Sequence, residues 1–398
     1  MSNRSKLGEV CDILCGFPFE SSRFLTDGHG PLLVRGMNVK RGNLDWSGSE
    51  AKRWPTKDPS LDEYELASGD IVIAMDGLVG RSNARLTDKD LPAYLVQRVA
   101  RLRAKPAANQ SYLYHLVCSA SFARHCWSRK TGTTISHISK ADIEDFEIPR
   151  FGQRSERRLG HMLDLAESAQ RVTDAFIAAK REQKRGLMQQ LLTGKVRFPG
   201  FTEPWKTVRL GEVLAESRIP GSTGAVARKI TIKLYGKGVH AKIEKRPGSE
   251  NTRYFRRCTG QLIYSKLDCL NGAFGIVPAE LDGFESTLDM PAFDVHSNAN
   301  SDWLLAVVGR PSFYSRFKDG ADGSRKAQRV DPTRFLAEQV ELPTRDEQDR
   351  IAATHAAMTR EINLLVEQRS ALASQRRGLM ERLLSGDIVL PSSDTSAA

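Results

Sequence analysis

The chain has 398 residues, of which 40% are hydrophobic, and this is enough for two ordinary domains with cores of their own. Lys and Arg number 59 against 48 Asp and Glu, and the net charge of +11 favours a polyanionic partner such as nucleic acid. The six cysteines include no CxxC pair, no run of about 18 apolar residues occurs, and the N-terminus lacks an apolar signal region. These features predict a cytoplasmic protein with reduced thiols and argue against a zinc site, a membrane segment and export.

Residues 1–150 are predicted to form a first mixed α/β domain. Short strand-like runs such as 70–75 are broken by Gly, Pro, Asn and Asp, a pattern typical of mixed or mostly β structure with many loops. The step Ile148-Pro149 ends the last strand-like stretch before a polar helix start.

Residues 151–194 predict a long helix that ends at Gly194. A helix from 154 to 192 would extend on the order of 58 Å, long enough to act as a spacer. Its apolar residues recur at spacings of three or four, and those predicted to pair with a second helix include Leu159, Met162, Leu163, Val172, Phe176, Ile177, Leu187 and Leu191.

Residues 195–343 predict a second globular domain, closed by Leu342-Pro343, and residues 344–386 a second long helix. Its seven-residue ladder is typical of a coiled coil or a long helical hairpin. The ladder consists of Ile351, Met358, Leu365, Leu372 and Leu379, and its neighbouring row of His355, Ile362 and Leu383. Residues 387–398 are predicted to form a flexible tail.

An internal repeat organises the whole chain. Residues 184–194, KRGLMQQLLTG, return at 376–386 as RRGLMERLLSG, an offset of 192, and Leu7-Gly8-Glu9-Val10 returns as Leu210-Gly211-Glu212-Val213, an offset of 203. We therefore predict an α+β fold with two mixed α/β domains separated by two long antiparallel, coiled-coil-like helices, as a pseudo-twofold tandem repeat. The alternative is that each helix packs into its own domain.

Basic residues concentrate between positions 228 and 257, where Lys and Arg number ten against two Glu. Aromatic residues are interleaved with them, which favours a phosphate-binding face. For any single residue the alternative is a solvated surface charge. The residues predicted to contact DNA are Arg35, Asn38, Arg81, Gln97, Arg98, Lys130, Thr131, Gly132, Lys233, Tyr235, Lys237, Lys266, Arg325 and Gln328.

Motifs for catalysis are absent from the sequence. There is no Asn/Asp-Pro-Pro-aromatic motif of an adenine methyltransferase, no phosphate-binding glycine loop, and no HExxH or HxH cluster among the eight histidines. We predict no catalytic residue and no metal ligand in this chain.

Several short motifs carry a family resemblance. The opening 7–10 followed by Gly16-Phe17-Pro18-Phe19, the stretches 69–73 and 97–102, and the two helix ends at 184–194 and 376–386 resemble the specificity subunit of a Type I restriction-modification system. The resemblance covers nearly all of the chain.

That resemblance implies a non-catalytic subunit that reads double-stranded DNA. Residues 1–150 and 195–343 would each be a target-recognition domain for one half of a bipartite site, while the helices set the spacing between the halves. The helices would also bind two copies of the methylation subunit, and restriction subunits would join the full complex. S-adenosylmethionine, ATP and Mg²⁺ would be bound by these partners, and no cofactor by this chain.

Two other functions stay open at this stage. A stand-alone DNA- or RNA-binding regulator would share the basic patches but would have little need for two long apolar helix stripes. An enzyme with an unrecognised active site, such as a divergent nuclease, would act on DNA without partners.

Overall fold

The computed structural model describes residues 3–132, 134–244, 248–318 and 329–385. The chain divides into two compact units: unit 1 takes in Met1–Ala175 and Glu367–Ala398, and unit 2 takes in Phe176–Val366. Each unit holds one globular segment together with part of each of two long helices. Within the described ranges, no helix is both long and apolar enough to cross a membrane. The tail predicted at 387–398 lies outside the described residues.

In unit 1, strands β2, β8, β5 and β6 form an antiparallel sheet in that order, and a smaller sheet has the order β3-β7-β4 with β3 and β7 parallel. Strand β1 pairs with β9 and so closes the globular segment. The strands are β1 (Asn3–Lys6), β2 (Cys11–Cys15), β3 (Leu32–Val34), β4 (Glu65–Leu66), β5 (Ile71–Ala74), β6 (Asn83–Arg85), β7 (Ala93–Leu95), β8 (Val99–Ala104) and β9 (Glu147–Arg150). The helices are α1 (Leu7–Val10), α2 (Gln110–Val117), α3 (Ala120–Arg129), α4 (Lys140–Glu144) and the long α5 (Gln153–Leu191).

In unit 2, the sheets have the orders β11-β19-β16-β17, β12-β15-β18 and β13-β14, and β10 pairs with β20. The strands are β10 (Lys206–Arg209), β11 (Leu214–Ser217), β12 (Pro220–Thr223), β13 (Ile230–Ile232), β14 (Val239–Ala241), β15 (Arg253–Arg256), β16 (Leu262–Tyr264), β17 (Phe274–Ile276), β18 (Glu285–Ser286), β19 (Ala292–Val295) and β20 (Gln339–Leu342). The helices are α6 (Ser301–Val308), α7 (Pro311–Tyr314), α8 (Pro332–Ala337) and the long α9 (Arg345–Ser385).

The central strand of unit 1 is apolar at every position because both of its faces are covered. Side chains alternate across a strand, so Ile71 and Ile73 join the core beneath the helices, whereas Val72 and Ala74 join the core of the smaller sheet. A strand buried on both faces appears in the sequence as a continuous hydrophobic run rather than an alternating one.

The pairing register shows that the two units repeat one framework. Asn3 pairs with Arg150 in unit 1 and Lys206 with Leu342 in unit 2, which are shifts of 203 and 192. The first of these shifts equals that of the opening motifs, and the second equals that of the helix ends. The same helix start also recurs, because the Asn109 and Asn300 side chains accept hydrogen bonds from the backbone N–H of Tyr112 and Trp303 and cap α2 and α6. The tandem organisation predicted from the sequence is confirmed.

The Ile148-Pro149 and Leu342-Pro343 steps, which close the two globular segments in the sequence, occupy different positions in the fold. Pro149 lies within β9, opposite Arg4, whereas Pro343 follows the end of β20. The register makes Glu341 the counterpart of Pro149. Strand β9 tolerates proline because it pairs along one edge, with β1, and needs no second row of donors.

The segments between the framework strands differ between the units. Residues 16–70 supply β3 and β4 to a sheet that contains a parallel pair, whereas residues 218–261 supply β12 to β15, in which every pairing is antiparallel. The repeated framework therefore carries two unlike insertions.

Within each unit, the two long helices pack on the globular core. In unit 1, Leu159 and Leu163 of α5 and Leu383 of α9 are buried together; in unit 2, Leu191 of α5 and Ile351 of α9 are buried together. The two ends of the ladder are therefore buried against the globular cores, and pairing of the helices along the ladder stays a prediction. Leu187, Met358 and Leu379 are partly buried against these cores, and Leu365 and Leu372 are half-buried.

Polar pairs show that the helix segments in unit 1 run antiparallel. Arg369 of α9 pairs with Asp174 of α5 at 3.0 Å, and Arg376, two turns later, reaches back to Glu167 at 3.4 Å. In unit 2 the equivalent of Arg376 is Lys184, which donates a hydrogen bond to the Thr359 hydroxyl at 2.6 Å.

Phe176, which was predicted to pair with the second helix, is instead exposed to solvent. Phe176 is 47% exposed, whereas its neighbour Ile177 is 5% exposed and occupies the buried ridge. Successive helical residues point about 100° apart, so the choice between them depends on the exact phase of the helix. Met162 and Val172, which belong to the same predicted stripe, are also exposed.

Candidate nucleic-acid interface

In unit 1, three distant segments meet where the central strand β5 ends. Backbone hydrogen bonds run from Met75 N–H to the Arg98 carbonyl and from Ile138 N–H to the Met75 carbonyl, both at 2.9 Å. An antiparallel bridge joins Asp76 to His137, which also exchanges two backbone hydrogen bonds with Thr131. We call this junction, with the loop at 76–81 and the residues at 127–132 and 134–137, the unit 1 face.

Arg98 is the central cation of the unit 1 face. The His137 Nδ1–H donates to the Asp76 carboxylate at 2.6 Å, which fixes the ring, and Arg98 Nη1 lies 3.2 and 3.4 Å from the two ring nitrogens. The Arg98 Nε is 3.8 Å from the second Asp76 oxygen. Its guanidinium is thus held at the surface while most of the side chain stays exposed.

Unit 2 repeats this junction with different side chains. Lys266 N–H donates to the Asp289 carbonyl at 2.8 Å, and Val330 N–H donates to the Lys266 carbonyl at 3.1 Å. These residues stand 191 or 192 positions after their counterparts Met75, Arg98 and Ile138. The Lys266 ammonium lies 3.7 Å from the Asp331 carboxylate, so the charged groups differ although the backbone junction is the same.

A hairpin turn of unit 2 is hydrogen-bonded to the segment that follows Lys266. The Tyr235 N–H donates to the Asn271 carbonyl at 2.9 Å, and Gly236 N–H donates to the Gly272 carbonyl at 3.0 Å. Lys233 and Lys237 are exposed on the same turn, beside the largely exposed ring of Tyr235. We call this turn, together with the junction at Lys266, the unit 2 face.

Strained backbone marks both faces. Among the described residues, the non-glycine residues with positive φ are Arg98, at 67°, and Tyr235, at 59°. This conformation costs an ordinary residue about 1–2 kcal/mol. Such strain persists where the surroundings enforce it and clusters at functional sites. Each unit has one strained, exposed residue, and each lies next to the loop after the equivalent central strand. This repetition supports a functional role for Arg98 and Tyr235.

The other predicted contacts of unit 1 are placed unevenly. Arg81, Gln97 and Thr131 are exposed on or beside the unit 1 face, and Gly132 has a φ of +87° there. The Lys130 ammonium sits 3.3 Å from the centre of the exposed Trp127 ring. Arg35 lies apart from the face, because its guanidinium donates to the Glu50 carbonyl at 2.8 Å and burial lowers its pKa.

Asn38 requires a correction. The residue is fully buried, and its amide donates to the backbone carbonyls of Asp45 and Glu50 while its side-chain oxygen accepts from Arg35 N–H. All of these bonds stabilise the loop from 35 to 50, so Asn38 has no group left for a base. The predicted residues Arg325 and Gln328 lie outside the described residues.

The basic run at 228–257 also contains two structural cations. Lys229 is buried and paired with Glu244, and Arg257 is buried with hydrogen bonds to the Ser286 hydroxyl and two backbone carbonyls. Burial lowers the pKa of Arg257 to about 10. These two cations support the fold of unit 2 and are unavailable to phosphate.

His115, Asp164 and Glu167 are close enough in unit 1 to suggest a metal site, but their charges are already balanced. Arg85 donates to both Asp164 oxygens at 2.9 and 3.3 Å, and Arg376 lies 3.4 Å from Glu167. Burial lowers the pKa of His115; burial opposes ionisation of Asp164, yet hydrogen bonds, led by that from Arg85, lower its pKa. The cluster joins α9 to α5 and α2 as an ion network.

Sequence reasoning missed Asp76 and His137. An Asp-Gly step such as Asp76-Gly77 is typical of a turn, and His137 is one of eight scattered histidines in the sequence. No local signal joins them, because they are brought together by the bridge between segments 61 residues apart.

The fold and the two faces define a tandem scaffold protein with one exposed loop face in each unit. Residues 2–150 match the family model described as the Type I restriction modification DNA specificity domain. The resemblance predicted from the sequence is confirmed over this segment.

The chain is also similar to a curated protein in sequence and to two solved structures in fold. The chain is 30% identical over 207 residues to the Type I restriction enzyme MjaVIII specificity subunit of Methanocaldococcus jannaschii; the match covers 48% of this chain and 45% of that protein. The S subunit of a Type I restriction-modification system from M. genitalium has a TM-score of 0.59 at 14% identity, covering 96% of each chain. A chain from a solved structure on complex assembly and conformational transition of the type I R-M system has a TM-score of 0.56 at 15% identity. That match covers 97% of this chain and 98% of the other. The predicted fold class is confirmed.

Proposed function

We propose that this chain is the DNA-reading subunit of a Type I restriction-modification complex, with each unit reading one half of a bipartite DNA site. The observation that carries this proposal is the repeated junction at the end of β5 and β16. A strained, exposed residue lies at or beside this junction in each unit, Arg98 in unit 1 and Tyr235 in unit 2, while the charged side chains of the junction differ. One framework with two different faces suits two different half-sites. The long helices, which are shared between the units, would set the number of unread base pairs.

We infer that the chemistry belongs to partner subunits. Arginines neutralise the metal-like cluster of unit 1, and the sequence lacks methyltransferase and nucleotide-binding motifs. S-adenosylmethionine would be held by two methylation subunits, and ATP and Mg²⁺ by restriction subunits. This chain would direct those activities to particular sequences without cofactors of its own.

The test of DNA reading is an exchange of the globular segment of unit 1 alone. Residues 1–150 are replaced by those of a relative that reads another site, with the junction after Arg150, where β9 ends its pairing with β1. Expressed with its methylation and restriction partners, the hybrid is expected to change one half of the sequence in which adenines are methylated and to leave the other half and the gap unchanged. The measurement is sequencing of methylated adenines in host DNA.

A reciprocal exchange of residues 206–342 serves as the control and is expected to change the opposite half. Changes in both halves from either exchange would contradict reading by separate units. Cleavage or methylation of DNA by the purified chain alone would instead favour an enzyme.

An unpaired apolar stripe on α5 supports the docking of a methylation subunit. Met162, Leu165 and Val172 in unit 1 are each more than half exposed and lie on one side of the helix. Apolar side chains that are exposed together on one side of a helix are typical of a surface that a partner covers. We propose that a methylation subunit covers this stripe in the complex.

We expect Val172→Glu to reduce recovery of the methylation subunit with this chain by about tenfold or more, because a charge would be buried in an apolar interface. The free energy of unfolding should change by less than about 0.5 kcal/mol, since Val172 is exposed in the chain itself. Co-purification and urea unfolding measure the two effects. Val196→Glu, at an exposed apolar position of unit 2, is the matched control and should keep the partner. Equal recovery with both variants would favour a stand-alone regulator or another docking surface.

A further inference from the structure

The unit 1 face carries two exposed apolar side chains that the charged contacts leave unexplained. Leu78 is 67% exposed and Ile135 is 64% exposed. Leu78 follows Asp76 by two residues and Ile135 precedes His137 by two, so both lie just beyond the bridge that orders the Arg98 guanidinium. A hydrogen bond from Gly77 N–H to the Ser136 carbonyl at 2.9 Å holds the two segments side by side.

The loops keep these side chains pointed outward. Val79 is buried beside Leu78, and Gly80 touches α3 so closely that an added Cβ would lie 2.8 Å from the Cys126 Cβ. On the second segment, a Cβ on Gly132 would meet the Ile135 carbonyl oxygen at 2.3 Å. The backbone is thus closely packed at Gly80 and at Gly132, and in this arrangement Leu78 and Ile135 both point into solvent.

Their surroundings indicate which partner covers them. The exposed cations Arg81 and Arg98 flank the pair, a setting that suits a polyanion better than an apolar protein surface. The major groove of DNA offers one apolar group at base edges, the C5-methyl of thymine, and aliphatic side chains contact it there.

We infer that the half-site read by unit 1 contains a thymine whose C5-methyl group packs against Leu78 and Ile135. This inference rests on the proposed function and adds to it the identity of one base. It makes these residues determinants of specificity that act through an apolar contact, next to the charged contacts of Arg98.

The test uses duplexes carrying the site defined by methylated-adenine sequencing and the complex of this chain with its methylation subunits. Each thymine of the unit 1 half-site is replaced in turn by deoxyuridine, which lacks only the methyl group. We expect one position at which affinity falls about fourfold, the effect of leaving one methyl group unburied. In Leu78→Ala/Ile135→Ala, the thymine duplex should bind as weakly as the deoxyuridine duplex, and the replacement should have no further effect.

Val226→Ala, which truncates an exposed apolar residue of unit 2, is the control and should keep the deoxyuridine penalty in the unit 1 half. The inference is overturned if no thymine in that half is sensitive, if the half-site has no thymine, or if the double variant loses the methylation subunits instead. Absence of any sequence-specific binding by the complex would mark failure of the proposed function itself.

Discussion

Leu383→Asp is expected to lower the free energy of unfolding by about 4 kcal/mol or more. Leu383 is fully buried in unit 1 with Leu159 and Leu163, so the change both removes apolar packing and places a carboxylate without a partner in the core. Because this contact anchors the end of α9, we also expect loss of helical circular dichroism and of complex assembly. Urea unfolding followed at 222 nm is the measurement.

Leu364→Asp makes the same change on the same helix at a side chain that is 59% exposed. It should alter the free energy of unfolding by less than about 0.5 kcal/mol. If the two variants were equally stable, α9 would not be packed into unit 1 as described.

Arg98→Gly is expected to separate DNA recognition from folding. Glycine adopts the positive φ of this position without strain, while its flexibility costs chain entropy, so the free energy of unfolding should stay within about 1 kcal/mol of its original value. Loss of the guanidinium should weaken binding to the specific site about 10- to 100-fold and relax the sequence requirement in the half read by unit 1. Duplex binding at fixed salt, with base substitutions in each half, measures both effects.

Tyr235→Gly is the matched variant in unit 2, since it relieves the same kind of strain beside the equivalent junction. It should relax the other half of the site and leave the unit 1 half unchanged. Arg98→Ala completes the series, because it keeps the strain and removes the cation, and it should match Arg98→Gly in binding while being no more stable. A variant set that loses stability without changing sequence preference would assign both residues a purely structural role.

The repeated junction explains why the backbone is the same in the two units while the side chains differ. Hydrogen bonds at the end of β5 and β16 use backbone atoms, so they survive replacement of Arg98 by Asp289 or of Met75 by Lys266. The side chains at these positions are therefore free to differ between the units while the fold is kept. A scaffold of this kind allows a change of recognition without a change of framework.

The sequence alone determined the features that depend on local patterns. The repeat at 184–194 and 376–386, the long helices and the buried central strand follow from identities and periodicities within short windows. Arg98 and Tyr235 were also predicted from the sequence as DNA contacts, and the structure places both side chains at exposed positions.

Tertiary structure decided everything that depends on contacts between distant segments. The burial of Asn38, the alignment of Asp76 with His137, and the choice of Ile177 over Phe176 as the buried residue were all fixed by packing. A rotation of the helix by one residue, about 100°, would exchange Ile177 and Phe176, and loss of one bridge would separate Asp76 from His137. Neither effect can be seen in the neighbouring sequence. The exposure of Leu78 and Ile135 could likewise be read only from the structure.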